Sequence, residues 1–117
     1  MAEANRRGRE VIVPTLVCAE VARGRVRTRA LEAAVARHDR ARGERPPLRL
    51  VDTDFDLARQ VGAILEATNS GSERVVDAHV VAVCVPGGGG LVVTSDPDDI
   101  AGLASAVPAA RIRTTRP

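Results

Sequence analysis

The apolar positions of this chain change period several times, and each change marks a new element. Val11-Ile12-Val13 is a β-branched run closed by Pro14, so Glu10–Val13 reads as a strand ending where the next residue has no amide proton to donate. From Thr15, the apolar residues Leu16, Val17 and Val21, then Val26, Leu31 and Val35, suit two helices broken near Gly24. Arg42-Gly43-Glu44-Arg45-Pro46-Pro47 is a loop, and Leu48-Arg49-Leu50-Val51 alternates at its start like a second strand. Asp52 and Thr53 are N-cap candidates for a helix over about residues 54–67, with Phe55, Ala58, Val61, Ile64 and Leu65 on one face.

Asn69-Ser70-Gly71-Ser72 is a turn or loop. Val75 to Val85 is almost wholly apolar and predicts a helix of about three turns, buried on most sides. Pro86 and the glycines Gly87 to Gly90 end it and read as a flexible connection. Leu91-Val92-Val93-Thr94 is a buried strand, Ser95-Asp96-Pro97 opens a helix through Ala106, and Arg111-Ile112-Arg113 is a last strand. Strands that alternate with helices define an α/β domain with a mainly parallel sheet. In such a sheet the ligand site lies beyond the carboxyl ends of the strands. The length of 117 residues suits one domain.

Composition narrows the function classes. Apolar residues make up 44% of the chain, enough aliphatic surface to offset chain entropy, so a disordered chain is excluded. Phe55 is the sole aromatic, so there is no platform for stacking nucleic-acid bases. No apolar run reaches the length of a membrane span, and the start of the chain has no apolar core of a secretory signal. Cys18 and Cys84 each lie in an apolar stretch and read as small buried hydrophobes in a reducing cytoplasm. The formal charge of +2 hides a division. Residues 1–49 hold 12 Arg against 6 acids, whereas residues 50–110 hold 2 Arg against 9 acids. Such a split suits a protein that attracts a polyanion and also holds a cation.

Three acids stand out because their neighbours are apolar. Glu20 lies in Val17-Cys18-Ala19-Glu20-Val21, Asp77 interrupts Val75-Val76-Asp77-Ala78, and Asp96 follows Leu91-Val92-Val93-Thr94-Ser95. In a parallel α/β fold these places can converge on one rim. Three carboxylates at ~4 Å repel by on the order of 4 kcal/mol per pair at an effective dielectric near 20. Arg59 and Arg74 are the only cations in that part of the sequence, so a hard divalent ion is the simpler partner. Mg²⁺ or Mn²⁺ bound by few protein ligands keeps waters that can attack a phosphodiester.

The blocks Val13-Pro14-Thr15-Leu16-Val17-Cys18-Ala19-Glu20-Val21, Val76-Asp77-Ala78-His79-Val80-Val81-Ala82 and Val92-Val93-Thr94-Ser95-Asp96-Pro97-Asp98-Asp99-Ile100 resemble motif blocks of the PIN-domain ribonucleases, most of all the VapC type of bacterial toxin–antitoxin systems. The resemblance implies a three-layer α/β/α domain over residues 1–117 and a Mg²⁺- or Mn²⁺-dependent endoribonuclease. It further implies a cytoplasmic RNA substrate, a cognate antitoxin protein as partner, and a homodimer as a compatible assembly. Glu20, Asp77 and Asp96 match the family's metal-site acids, and Asp99 is a further candidate ligand. Ala2 to Arg9 resembles the end of a helix that precedes the family's second strand. On that alignment the family's first, central strand and its metal aspartate are missing from the chain.

Plainer readings stand beside these. Asp96 followed by Pro97, with Asp99 in the first turn, is also an ordinary helix start, and a capping carboxylate can still ligate a metal. Asp77 among valines is costly without a partner. Glu20 can pair with Arg23 or Arg25. Arg23, Arg25, Arg27 and Arg29 are either a solvated helix face or contacts to RNA phosphates. His79, two residues beyond Asp77, reads as partly buried rather than as a general base. The four glycines lack the Lys-Ser/Thr of a phosphate loop, and Thr94 and Ser95 are candidates to orient a metal-bound water. A catalytically inactive remnant that binds an antitoxin or RNA is the alternative function.

Overall fold

The computed structural model describes residues 11–40 and 48–117, and it divides into two compact units, Met1–Asp52 and Thr53–Pro117. The helix end assigned to Ala2–Arg9, the strand residue Glu10 and the loop Arg42–Pro47 lie outside the described residues. So does the side chain of Val35.

In the first unit, strand β1 (Val11–Pro14) runs directly into helix α1 (Thr15–Val21), with Pro14 serving as N-cap. Helix α2 (Arg25–Arg40) follows after Gly24, whose φ of +87° is readily adopted only without a Cβ. Strand β2 (Leu48–Val51) pairs parallel with β1, Val11 facing Leu48 and Pro14 facing Val51. The Thr15 hydroxyl donates to the Val51 carbonyl at 3.5 Å, closing the carboxyl end of the pair. Val26, expected on an apolar helix face, is 83% exposed. Its flanking residues Arg25 and Arg27 are exposed as well, so this turn of α2 is solvated.

Apart from Pro14, every buried apolar residue among those described lies in the second unit. Helix α3 (Phe55–Ala67) buries Leu57, Val61 and Ile64. A short 3₁₀ turn (Ser72–Arg74) leads into helix α4 (Val75–Cys84), where Ala78, Val81 and Ala82 are fully buried. Two alanines four residues apart allow close helix approach, and α3 and helix α5 (Pro97–Ala104), which buries Ile100 and Leu103, both pack on α4. Strand β3 (Gly89–Val93) pairs parallel with β4 (Arg111–Thr115), Gly89 facing Arg111 and Val93 facing Thr115.

The α/β class with parallel strands therefore holds, with five α-helices among the described residues and the strands paired as two two-stranded sheets. Several local expectations change. The N-cap of α3 is Asp54, whose carboxylate accepts from the Leu57 amide at 2.8 Å; neither Asp52 nor Thr53 caps it. Phe55 is 76% exposed, because the buried face is set by Leu57, Val61 and Ile64, and its ring instead lies under the Arg59 guanidinium at 5.7 Å. Gly89 and Gly90 belong to β3 rather than to a flexible connection. Leu91 and Val93 are 60% and 62% exposed, so β3 buries one face, through Val92, rather than both. Helix α5 ends at Ala104, two residues early, and β4 runs on to Thr115.

Candidate active site

At the carboxyl end of β3 the chain turns into α5 through Thr94-Ser95-Asp96. The Thr94 hydroxyl accepts the Asp96 amide at 3.0 Å, and the Thr94 amide donates to the Thr115 carbonyl at 2.9 Å, which continues the β3–β4 ladder by one step. Thr94 is thereby spent in part on shaping the turn rather than on holding a water. Asp96 is the N-cap residue by position: its carbonyl accepts from Asp99 and Ile100. Its side chain, however, makes no capping hydrogen bond and is exposed. The plain capping role that the sequence allows for this carboxylate is thus not the one it plays.

Asp77 lies in the first turn of α4, half-buried, where a carboxylate complements the positive end of the helix. Three residues earlier, Arg74 reaches across to α5 and bonds the Asp99 carboxylate at 2.9 Å. Asp99 holds the Arg74 guanidinium above its ordinary pKa, first through that hydrogen bond and then through its charge, and Glu73 and Asp77 add to the effect. Arg74 is therefore the centre of an acidic neighbourhood that the sequence shows only as scattered carboxylates. The pair lies in an open cleft of about 450 Å³ also lined by Thr68, Ser70, Glu73 and Asp98. Asp77 and Asp96 do not line it. The other cation of this stretch, Arg59, pairs with Asp56 at 3.1 Å on the exposed face of α3.

His79, 4% exposed, is tied at both ring nitrogens. Its Nδ1 is 2.7 Å from the Val75 carbonyl, which can only accept, so Nδ1 carries the proton; Nε2 then accepts from the Thr53 hydroxyl at 2.9 Å. This imidazole fastens the start of α3 to α4 and is a structural group, as its position off the Asp77 face suggests.

Glu20 is on α1, in the first unit, exposed, and makes no ion pair with Arg23 or Arg25 among the described residues. Arg23, Arg25, Arg27 and Arg29 are all exposed. Within either unit, among the described residues, no three His, Cys, Asp or Glu side chains are gathered as a metal cluster. In chemistry the donors suit a hard dication: Asp77 and Asp96 offer carboxylate oxygens at the starts of two helices packed on each other. Asp99 offers less, because Arg74 already neutralises it.

The chain matches the PIN domain over residues 2–104, nearly its whole length, and belongs to that family. PIN domains are generally metal-dependent nucleases and generally bind a divalent metal. Comparison with curated proteins and with solved structures finds no match. No helix among the described residues is long and apolar enough to cross a membrane. Sequence reasoning missed the Arg74–Asp99 bridge and the Thr53–His79 bond; the residues of each pair are 25 and 26 apart in sequence, and no local period signals either.

Proposed function

We propose that this PIN domain is a Mg²⁺- or Mn²⁺-dependent endoribonuclease and the toxin component of a toxin–antitoxin pair. The observation that carries the reading is the Asp96 carboxylate: it stands at the carboxyl end of a parallel strand, at a helix start, and is not used as a cap. Asp77 and Asp96 would hold the metal. When bound, the ion would supply charge stabilisation at the scissile phosphate and an acidified water.

The chain's own residues do the remaining work. The Thr94 hydroxyl fixes the Asp96 backbone through its amide, which pre-sets the turn from which the carboxylate projects. Arg74 draws charge away from the acidic cluster by neutralising Asp99, so fewer like charges oppose one another around Asp77. Arg23, Arg25, Arg27 and Arg29 would bind RNA phosphates, and the absence of an aromatic platform leaves phosphate contacts as the main source of affinity. A second reading, an inactive domain that binds an antitoxin or RNA, draws support from the ion-paired state of Asp99, one candidate ligand already engaged.

Incubating end-labelled RNA with the chain and Mn²⁺, beside Asp77→Asn and Asp96→Asn, separates the two. Cleavage in the wild type that falls at least ~100-fold in each variant is the expected result. RNA that stays intact with the wild type while still being bound would favour the inactive binding module.

A further inference from the structure

Strand β4 lies beyond the segment matched to the family and carries a row of cations that the site does not explain. Arg111 and Arg113 are exposed, whereas Ile112 and Thr114 between and beyond them are half-buried, so both guanidinium groups leave from one face of the strand. Every second residue of a strand advances about 6.6 Å, close to the phosphate repeat of an extended single strand of RNA. Neither arginine is held by a carboxylate among the described residues, although this unit is otherwise rich in acids. By register, Leu91 faces Arg113 and Val93 faces Thr115, so the same surface presents exposed aliphatic side chains and no acid.

The row has a direction. One residue past β4, the Arg116 guanidinium donates to the Ser95 carbonyl at 2.8 Å, which fixes it beside Asp96. One of its five N–H donors is accounted for by that bond, leaving others for a phosphate.

We propose that Arg111, Arg113 and Arg116 form a track for an RNA phosphodiester backbone that ends at Asp96, with Arg116 as a positioning residue for the phosphate presented there. This rests on the nuclease reading and names the surface that delivers its substrate. RNA is favoured over an acidic protein segment because Arg111 and Arg113 stand about one phosphate pitch apart on one strand face, and Arg116, just past the strand, lies beside the candidate carboxylate.

The test is binding of a fluorescein-labelled, mixed-sequence single-stranded RNA in EDTA, followed by anisotropy over a salt series. With all three arginines changed to Gln, the slope of log K against log salt is expected to shrink by about 2, with binding roughly tenfold weaker at low salt. In the unaltered chain, RNA should also protect Arg111, Arg113 and Arg116, but not Arg59, from phenylglyoxal, a readout that survives any misfolding of the triple variant. Unchanged slope and no protection would overturn the track while leaving the nuclease reading in place. A chain that binds no RNA would overturn both, and equal protection by a polyglutamate peptide would reassign the row to an acidic protein partner.

Discussion

Asp54 shows how little separates a correct local reading from a shifted one. Asp52, Thr53 and Asp54 are all good capping types, and only the Asp54 side chain reaches the Leu57 amide. Asp54→Ala should therefore cost about 1 kcal/mol in a urea unfolding series, whereas Asp52→Ala should stay within ~0.5 kcal/mol. Equal losses would place the cap elsewhere. Thr53 was unavailable for capping for a reason no spacing rule contains: its hydroxyl serves His79, 26 residues later. Cys84 gives a second residue-scale expectation. Burial raises its thiol pKa, so on unfolding the group meets water and ionises more readily. The unfolded state then loses protons first as pH climbs. The stability this adds is complete below the ordinary thiol range and is lost as pH rises through that range and through the higher folded value. Cys84→Ala should flatten that alkaline fall in the urea midpoint; an unchanged fall would assign it to another group.

At the scale of elements, the positions of the helices were legible and the burial of their faces less so. Val75–Cys84 is an almost unbroken apolar run, and it is the helix on which the second unit is built. Period alone placed Phe55 inward, but the cap at Asp54 starts the helix so that Leu57, Val61 and Ile64 face the core. The glycine run misled in a different way. Gly87 and Gly88 do end the helix in a 3₁₀ turn, with Gly88 at a φ of +81° as its cap. Gly89, at a φ of +140°, instead begins β3, where a Cβ would run into the backbone of Arg111. Close pairing, not flexibility, requires glycine there. Gly89→Ala should destabilise the chain by about 2–4 kcal/mol, whereas Gly87→Ala, with open space around it, should cost under ~1 kcal/mol. Comparable unfolding midpoints for the two variants would refute the close-approach account.

Over the whole molecule, the charge division read from the sequence becomes a physical arrangement in the second unit. Two acids of residues 50–110 are held by arginines, Asp99 by Arg74 within reach of Glu73 and Asp77, and Asp56 by Arg59, while the Asp96 carboxylate stays exposed. The α/β class and the family followed from short blocks around Glu20, Asp77 and Asp96, because each block is a local pattern of apolar strand or helix with one acid. The Arg74–Asp99 pair did not follow, because an ion pair between elements depends on packing that no single segment encodes. The account rests on Asp77 and Asp96 sharing one dication. Its most direct test is Mn²⁺ titration of the full chain, with bound ion counted by electron paramagnetic resonance. About one Mn²⁺ per chain is expected, with affinity at least ~10-fold weaker in both Asp77→Asn and Asp96→Asn. Equal Mn²⁺ affinity in the wild type and both variants would contradict it.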